Sequence, residues 1–175
     1  MSIPSHLVIK TEGLDFEALL ADWRWLVKPE LKPFLLTAFG DLFLRGEPGR
    51  VYFLSAMTGS LKEVAGSEEE FEKLCEDREQ RRELFLSSFL MEIRKARGEL
   101  APGDCYSCEV PLPLGGELEP ENFETSDLLS HFSILGQLHR ETRDLPAGTK
   151  VDKINIVPPN EDSKPKTFWQ KMRGG

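Results

Sequence analysis

Leu35 to Val64, LLTAFGDLFLRGEPGRVYFLSAMTGSLKEV, is the stretch that decides how this chain folds. Leu42 and Leu44 alternate with Asp41, Phe43 and Arg45, the period of two that a strand imposes on its side chains. Gly46-Glu47-Pro48-Gly49 then supplies a reversal, because proline fixes φ and glycine accepts positive φ at little steric cost. Val51 and Phe53 resume on one face with Tyr52 and Leu54 on the other, so this strand is expected to be covered on both sides. Thr58-Gly59 marks the next turn. In the strand from Ser60 to Val64, Leu61 and Val64 fall on opposite parities, which predicts a bulge or an early strand end. The stretch therefore reads as an antiparallel meander.

Outward from it, both flanks read as helical. Asp15 is placed to cap a helix running to about Trp25, with Phe16, Leu19, Leu20 and Trp23 spaced as one apolar stripe. Trp25 suits either core packing or a ligand platform. Pro29 and Pro33 end that helix, and Leu7-Val8-Ile9 reads as a short edge strand. Ser67 followed by Glu70 has capping-box spacing. A long helix is expected from about Asp77 to Arg97, with Leu84, Phe85, Phe89 and Ile93 buried and Gly98 as its C-cap. Cys105 to Val110 reads as a strand, and Ser126 or Asp127 opens a helix reaching about Arg143. Gly136 inside it costs about 1 kcal/mol against alanine, so it marks close packing or a break. Val151 to Val157 is the expected last strand. The fold class is α+β, a mainly antiparallel sheet with flanking helices in a single domain, residues 1–157. Residues 158–175 are expected to form a flexible polar and basic tail in which Phe168 and Trp169 are candidate docking side chains.

The net charge of −8 is concentrated in one place. No lysine or arginine lies between Arg97 and Arg140, and that window holds Glu99, Asp104, Glu109, Glu117, Glu119, Glu121, Glu124 and Asp127. Setting these eight aside leaves 22 acidic residues against 22 basic ones, so the rest of the chain is neutral. A segment of one sign steers cationic partners and opposes direct nucleic-acid binding; the plain alternative is a solvated loop that aids solubility. No apolar run approaches the ~20 residues of a membrane span, and the N-terminus lacks the basic start and apolar core of a secretory signal. Three cysteines make no disulfide framework, so a cytoplasmic protein is expected.

Candidate chemistry is sparse. Cys105-x-x-Cys108 has ligand-pair spacing with His131 and His139 downstream, yet the histidines are eight residues apart, too far for adjacent turns of one helix. A redox pair would sit at a helix N-terminus rather than on a strand. Structural cysteines on the two faces of a strand are the expectation, with no metal and no cofactor. His131 and His139 are read as hydrogen-bonded structural residues. The sequence contains no nucleophile elbow, phosphate loop, dinucleotide fingerprint or zinc-protease motif, so no catalytic residue is assigned and a non-enzyme is expected.

Thr37-Ala38-Phe39-Gly40-Asp41-Leu42-Phe43, Gly59-Ser60-Leu61, Pro102-Gly103-Asp104-Cys105-Tyr106, Leu114-Gly115-Gly116 and His131-Phe132-Ser133-Ile134-Leu135-Gly136-Gln137-Leu138-His139 occur in that order. Together they resemble a bacterial family found as the C-terminal domain of type VI secretion immunity proteins, where it often follows a GAD-like domain and is paired with DNase effectors. The similarity runs over about residues 15–157, and the chain reads as a stand-alone form without a preceding GAD-like domain. The resemblance implies a protein that neutralises a cognate toxin by stoichiometric binding. Glu117, Glu119, Glu121, Glu124 and Asp127 are the expected partner-binding residues, since a nuclease groove is basic. Two other classes compete: a regulatory or scaffolding module binding through Phe168-Trp169, and a small metalloprotein built on Cys105 and Cys108.

Overall fold

The structure is a computed structural model in which residues 3–159 are described. The meander forms as its alternation predicts. β1 (Val8–Ile9), β2 (Lys32–Thr37), β3 (Leu42–Gly46), β4 (Arg50–Ser55) and β5 (Ser60–Ala65) lie in chain order as one antiparallel sheet. Leu42 pairs with Leu54 and Phe43 with Phe53, so consecutive residues of β3 face opposite sides. The parity conflict in β5 is resolved by a bulge: Glu63 pairs with Tyr52 and Ala65 with Val51, leaving Val64 as the extra residue. Pro33 is tolerated in β2 because β1 pairs only with Leu36 and Thr37, so nothing on that side needs its missing N–H.

Both faces of the sheet are covered. Leu36, Leu42, Leu44 and Leu54 pack with Leu19, Leu20, Trp23, Phe132, Leu135 and Leu138. These come from α1 (Phe16–Leu20), the 3-10 turn Ala21–Trp23, and α5 (Leu128–Thr142). On the other face Phe43 is ringed by Phe34, Phe53, Phe71 and Phe85, with centroids 4.8–6.5 Å away. That second cluster is closed by α2 (Glu68–Glu76), α3 (Arg78–Leu84) and α4 (Ser87–Arg97). A ribbon of β6 (Asp104–Cys108) and β7 (Phe123–Asp127) completes the α+β fold, tied to the sheet by Tyr106 N donating to Ala38 O at 2.9 Å.

The predicted caps are in place. Asp15 Oδ1 accepts from Glu17 N and Ala18 N, and Ser67 Oγ from Glu70 N. Glu70 reaches back to Gly66 N rather than Ser67 N, a capping box displaced by one residue. Gly136 allows close packing: a Cβ there would stand 2.8 Å from Asp22 O and 2.9 Å from Trp23 Nε1. Trp23 Nε1 donates to Phe132 O and Trp25 Nε1 to Gly136 O, so both indoles dock the N-terminal helix onto α5.

Three expectations are corrected. The long helix over 77–97 is two helices, broken at Phe85-Leu86, where Leu86 takes φ 48° and ψ 41°. Buried Leu90, beyond the break, belongs to the stripe in place of the half-buried Leu84 and Phe89. Residues 151–157 form no strand, because the backbone of Val157 bonds to the amide side chain of Gln137, at 2.8 and 2.7 Å, instead of a neighbouring strand. The helix expected to run to about Trp25 stops at Leu20 and is followed by the 3-10 turn Ala21–Trp23, because the chain turns there to dock both indoles on α5. The tail with Phe168 and Trp169 lies outside the described residues.

Candidate protein-binding site

Two features meet at the end of the sheet where the β2–β3 and β4–β5 turns lie. The first is a buried polar junction. Asp41 is almost fully buried, and its Oδ1 accepts from Ala56 N at 2.8 Å, linking one turn to the other. Thr37 Oγ1 accepts from Phe39 N and Asp41 N. Burial pushes the Asp41 carboxyl up to about 7, against hydrogen bonds from Ala56, Ser55, Met57 and Thr37 that favour the ionised form. α5 closes the junction from the other side. His139 Nε2 bonds to Ala56 O at 2.9 Å, and burial lowers its pKa. His131 is pushed down to about 4 by burial, and its Nε2 has no partner among the described residues. Each imidazole lies under a turn glycine, His131 under Gly40 and His139 under Gly59. Most of the segments that carry the family resemblance thus converge here, and their work is to join two turns to a helix.

The second feature is an apolar pocket of about 190 Å³ above that junction. Phe39, Phe53, Met57 and Phe85 line it, Thr37, Asp41, Ser55 and Thr58 supply polar edges, and Glu83 to Leu86 form one wall. Leu112 and Leu118 close it from the loop between β6 and β7. Asn122 holds this loop in shape. Its side chain accepts from Val110 N and donates to Val110 O and Glu117 O, all within 3.0 Å. A loop fixed in this way presents its charges without the ordering cost that a mobile one incurs on binding.

The structure distributes the five predicted partner-binding residues unevenly. Glu117, Glu119 and Glu121 are exposed on the Asn122-braced loop beside the pocket. Glu124 is half-buried on β7, opposite Ser107. Asp127 is exposed but serves as the N-cap of α5, accepting from Ser130 N at 2.8 Å, at the far end of a strand about 13 Å long. Arg97 also enters the acidic window, donating to Glu121 O at 3.1 Å. The pocket-lining residues Glu83, Leu86, Thr58 and Leu118 were not found from sequence. The only local signal was Leu118, an aliphatic residue flanked by glutamates, and it is 49% exposed.

Cys105 and Cys108 are packed into opposite sides of the core, Cys105 against the α5 cluster and Cys108 against the other. Burial raises the Cys105 thiol well above its ordinary value and pushes Cys108 up to about 11, so neither is poised as a thiolate. Among the described residues no three histidine, cysteine or carboxylate side chains cluster as metal ligands. No described helix is long and apolar enough to cross a membrane.

Comparison with known proteins points the same way as the motif residues. Residues 65–139 match the family profile of the T6SS immunity protein Tdi1, C-terminal. The Tdi1 C-terminal match takes in α2 to α4, the β6–β7 ribbon with its acidic loop, and α5 as far as His139. It is shorter than the 15–157 read from sequence, starting at the last residue of β5 and leaving out the meander. A crystal structure of Atu4351 from Agrobacterium tumefaciens shares the fold, with a TM-score of 0.54 and 21% identity, covering 70% of this chain and 62% of that one. The chain therefore spans less than two thirds of that protein's length. No curated protein sequence matches.

Proposed function

We propose that this chain is an immunity protein that binds a cognate type VI secretion toxin, a nuclease effector, and inhibits it stoichiometrically without turnover. The observation that carries this reading is the Tdi1 C-terminal match over residues 65–139. The physical setting agrees with it. A nuclease groove must be basic to hold phosphates, and Glu117, Glu119 and Glu121 stand on a braced loop where they can steer such a surface inward. We assign the binding domain to residues 1–157 and its place of action to the cytoplasm, where a DNA-directed toxin acts.

The direct test is capture of the tagged chain from lysate of its source organism, followed by co-expression of the captured toxin domain. A single tight partner with a toxic domain, silenced on co-expression, is the expected result. Recovery of housekeeping proteins alone, with the toxin demonstrably expressed, would remove the reading. Removing residues 159–175 should leave affinity within about twofold, whereas a scaffolding module acting through Phe168-Trp169 would lose binding. Reversing Glu117, Glu119 and Glu121 to lysine together is expected to slow association roughly tenfold at low salt and to flatten its salt dependence. Glu124 is left intact because it is half-buried within β7. Stopped-flow association at several ionic strengths reads this out. An unchanged slope would move the interface elsewhere.

A further inference from the structure

Deepening that reading, and resting on it, we infer that the pocket behind Leu118 receives an apolar side chain of the toxin flanked by lysine or arginine, with Glu83, Glu117 and Glu119 facing those cations.

Three observations lead there. The first is shape. The pocket is lined by Phe39, Phe53, Met57 and Phe85, and its volume of about 190 Å³ accommodates one large side chain. Leu118 stands at its mouth, half exposed beside this apolar lining, as an anchor does at the centre of an interface.

The second is charge. Glu83, Glu117 and Glu119 take no ion pair among the described residues. The cations nearest them in sequence are committed elsewhere. Arg81 donates to Cys75 O and Glu76 O at the end of α2, Arg82 bonds Ser88 Oγ and faces Glu79, and Arg97 bonds Glu121 O. Glu83 lines the pocket and Glu117 and Glu119 flank Leu118 in the chain, so acidic residues accompany the apolar centre on two sides, which calls for a partner segment with the inverse pattern.

The third is strain. Leu86, on the pocket wall, holds the left-handed conformation that costs a non-glycine residue about 1–2 kcal/mol. It stops α3 and α4 from merging, and the break is what places Glu83 to Leu86 along the pocket. Such strain, kept on the wall of a cavity, is characteristic of binding surfaces.

The test uses the toxin domain captured by the full chain, produced separately, and titrates it calorimetrically into wild type, Leu118→Asp, Thr58→Trp, Glu83→Lys and Met91→Asp. Leu118, Thr58 and Glu83 are exposed or half-exposed, so these variants should unfold at the wild-type temperature, which is checked first. Leu118→Asp and Thr58→Trp, which charge or plug the mouth, are expected to raise Kd at least tenfold. Glu83→Lys should raise it severalfold through slower association. Met91→Asp alters an apolar residue of 52% exposure outside the pocket and should stay within twofold. If wild type binds the toxin and both mouth variants bind as tightly, the pocket is not the contact, while the immunity reading stands. If wild type binds no toxin, both fall together.

Discussion

Gly59→Ala is expected to destabilise the fold by about 3 kcal/mol, the sum of a left-handed backbone and an overpacked contact. Gly59 has φ 66°, and a Cβ there would lie 2.4 Å from both Cγ and Nδ1 of His139. The ring has little room to yield. Its Nε2 is bonded to Ala56 O, and it lies 5.8 Å from the Trp23 ring in the core between sheet and α5. The clash therefore passes into the docking of α5 or into the β4–β5 turn itself. Gly13→Ala supplies the comparison, since Gly13 has φ 80° with nothing within 4 Å of its Cβ position and would show the conformational cost alone. For a chain of this size the Gly59 variant should lose roughly 6–12 °C in unfolding temperature. Urea unfolding of the two variants side by side decides the matter. Equal losses would mean that the His139 contact yields freely and that the junction is looser than its geometry.

The second large effect is a pair of opposite pH slopes from the same junction. His131 is held near pKa 4 against an ordinary 6.5, so between those values the unfolded chain binds a proton that the folded chain refuses. Its contribution is present above pH 6.5 and is lost as pH falls through 4, amounting to about 3 kcal/mol at about 1.4 kcal/mol per pH unit. Asp41 works in the other sense. Its folded pKa of about 7 exceeds the ordinary 3.8, so its contribution is complete below 3.8 and is lost as pH rises through 7, about 4 kcal/mol in all. Over pH 4–6.5 the two oppose one another. His131→Leu should expose the Asp41 slope, with stability falling as pH rises, and it also removes a buried nitrogen without a partner among the described residues. Asp41→Asn should expose the His131 slope, with stability climbing from pH 4 to 6.5. The amide oxygen of asparagine can still accept from Ala56 N, so the variant removes the titration while keeping that bond. Urea midpoints at half-unit pH steps give both slopes. Slopes of the same sign would refute the assignment of these two groups.

How far the fold was legible follows from where each determinant lies in the chain. The alternation of Leu42 and Leu44 with Phe43, the Gly46–Gly49 reversal, the caps at Asp15 and Ser67 and the helix opening at Asp127 are local patterns, and each formed as read. The bulge in β5 was legible because a parity conflict inside a strand has few other solutions. The α3–α4 break was not. Leu84, Phe85, Phe89 and Ile93 keep helical spacing across it and no glycine or proline interrupts them. The chain turns at Leu86 because Phe85 is drawn into the Phe43 cluster while α4 packs Leu90 and Ile93 elsewhere in that layer. The expected strand at 151–157 failed for a similar reason: its partner is a single glutamine on α5.

The candidate site divides along the same line. The acidic window and the exposed Glu117, Glu119 and Glu121 are properties of composition, fixed once the stretch is known to lie at the surface. That Asp127 opens a helix was legible in the sequence, whereas the half-burial of Glu124 depends on the pairing of β7 with β6, which no pattern in Phe123–Asp127 announces. The pocket draws its wall from the α3–α4 break, its floor from the sheet and its lid from the loop at Leu112 and Leu118. The sequence by itself determined the meander, most of the helices that flank it and the sign of the charge beside it, because those rest on neighbours within a few residues. Only the tertiary structure decided that Asp41, His131 and His139 share one buried junction and that Leu118 stands over a cavity, because both depend on contacts between residues dozens of positions apart.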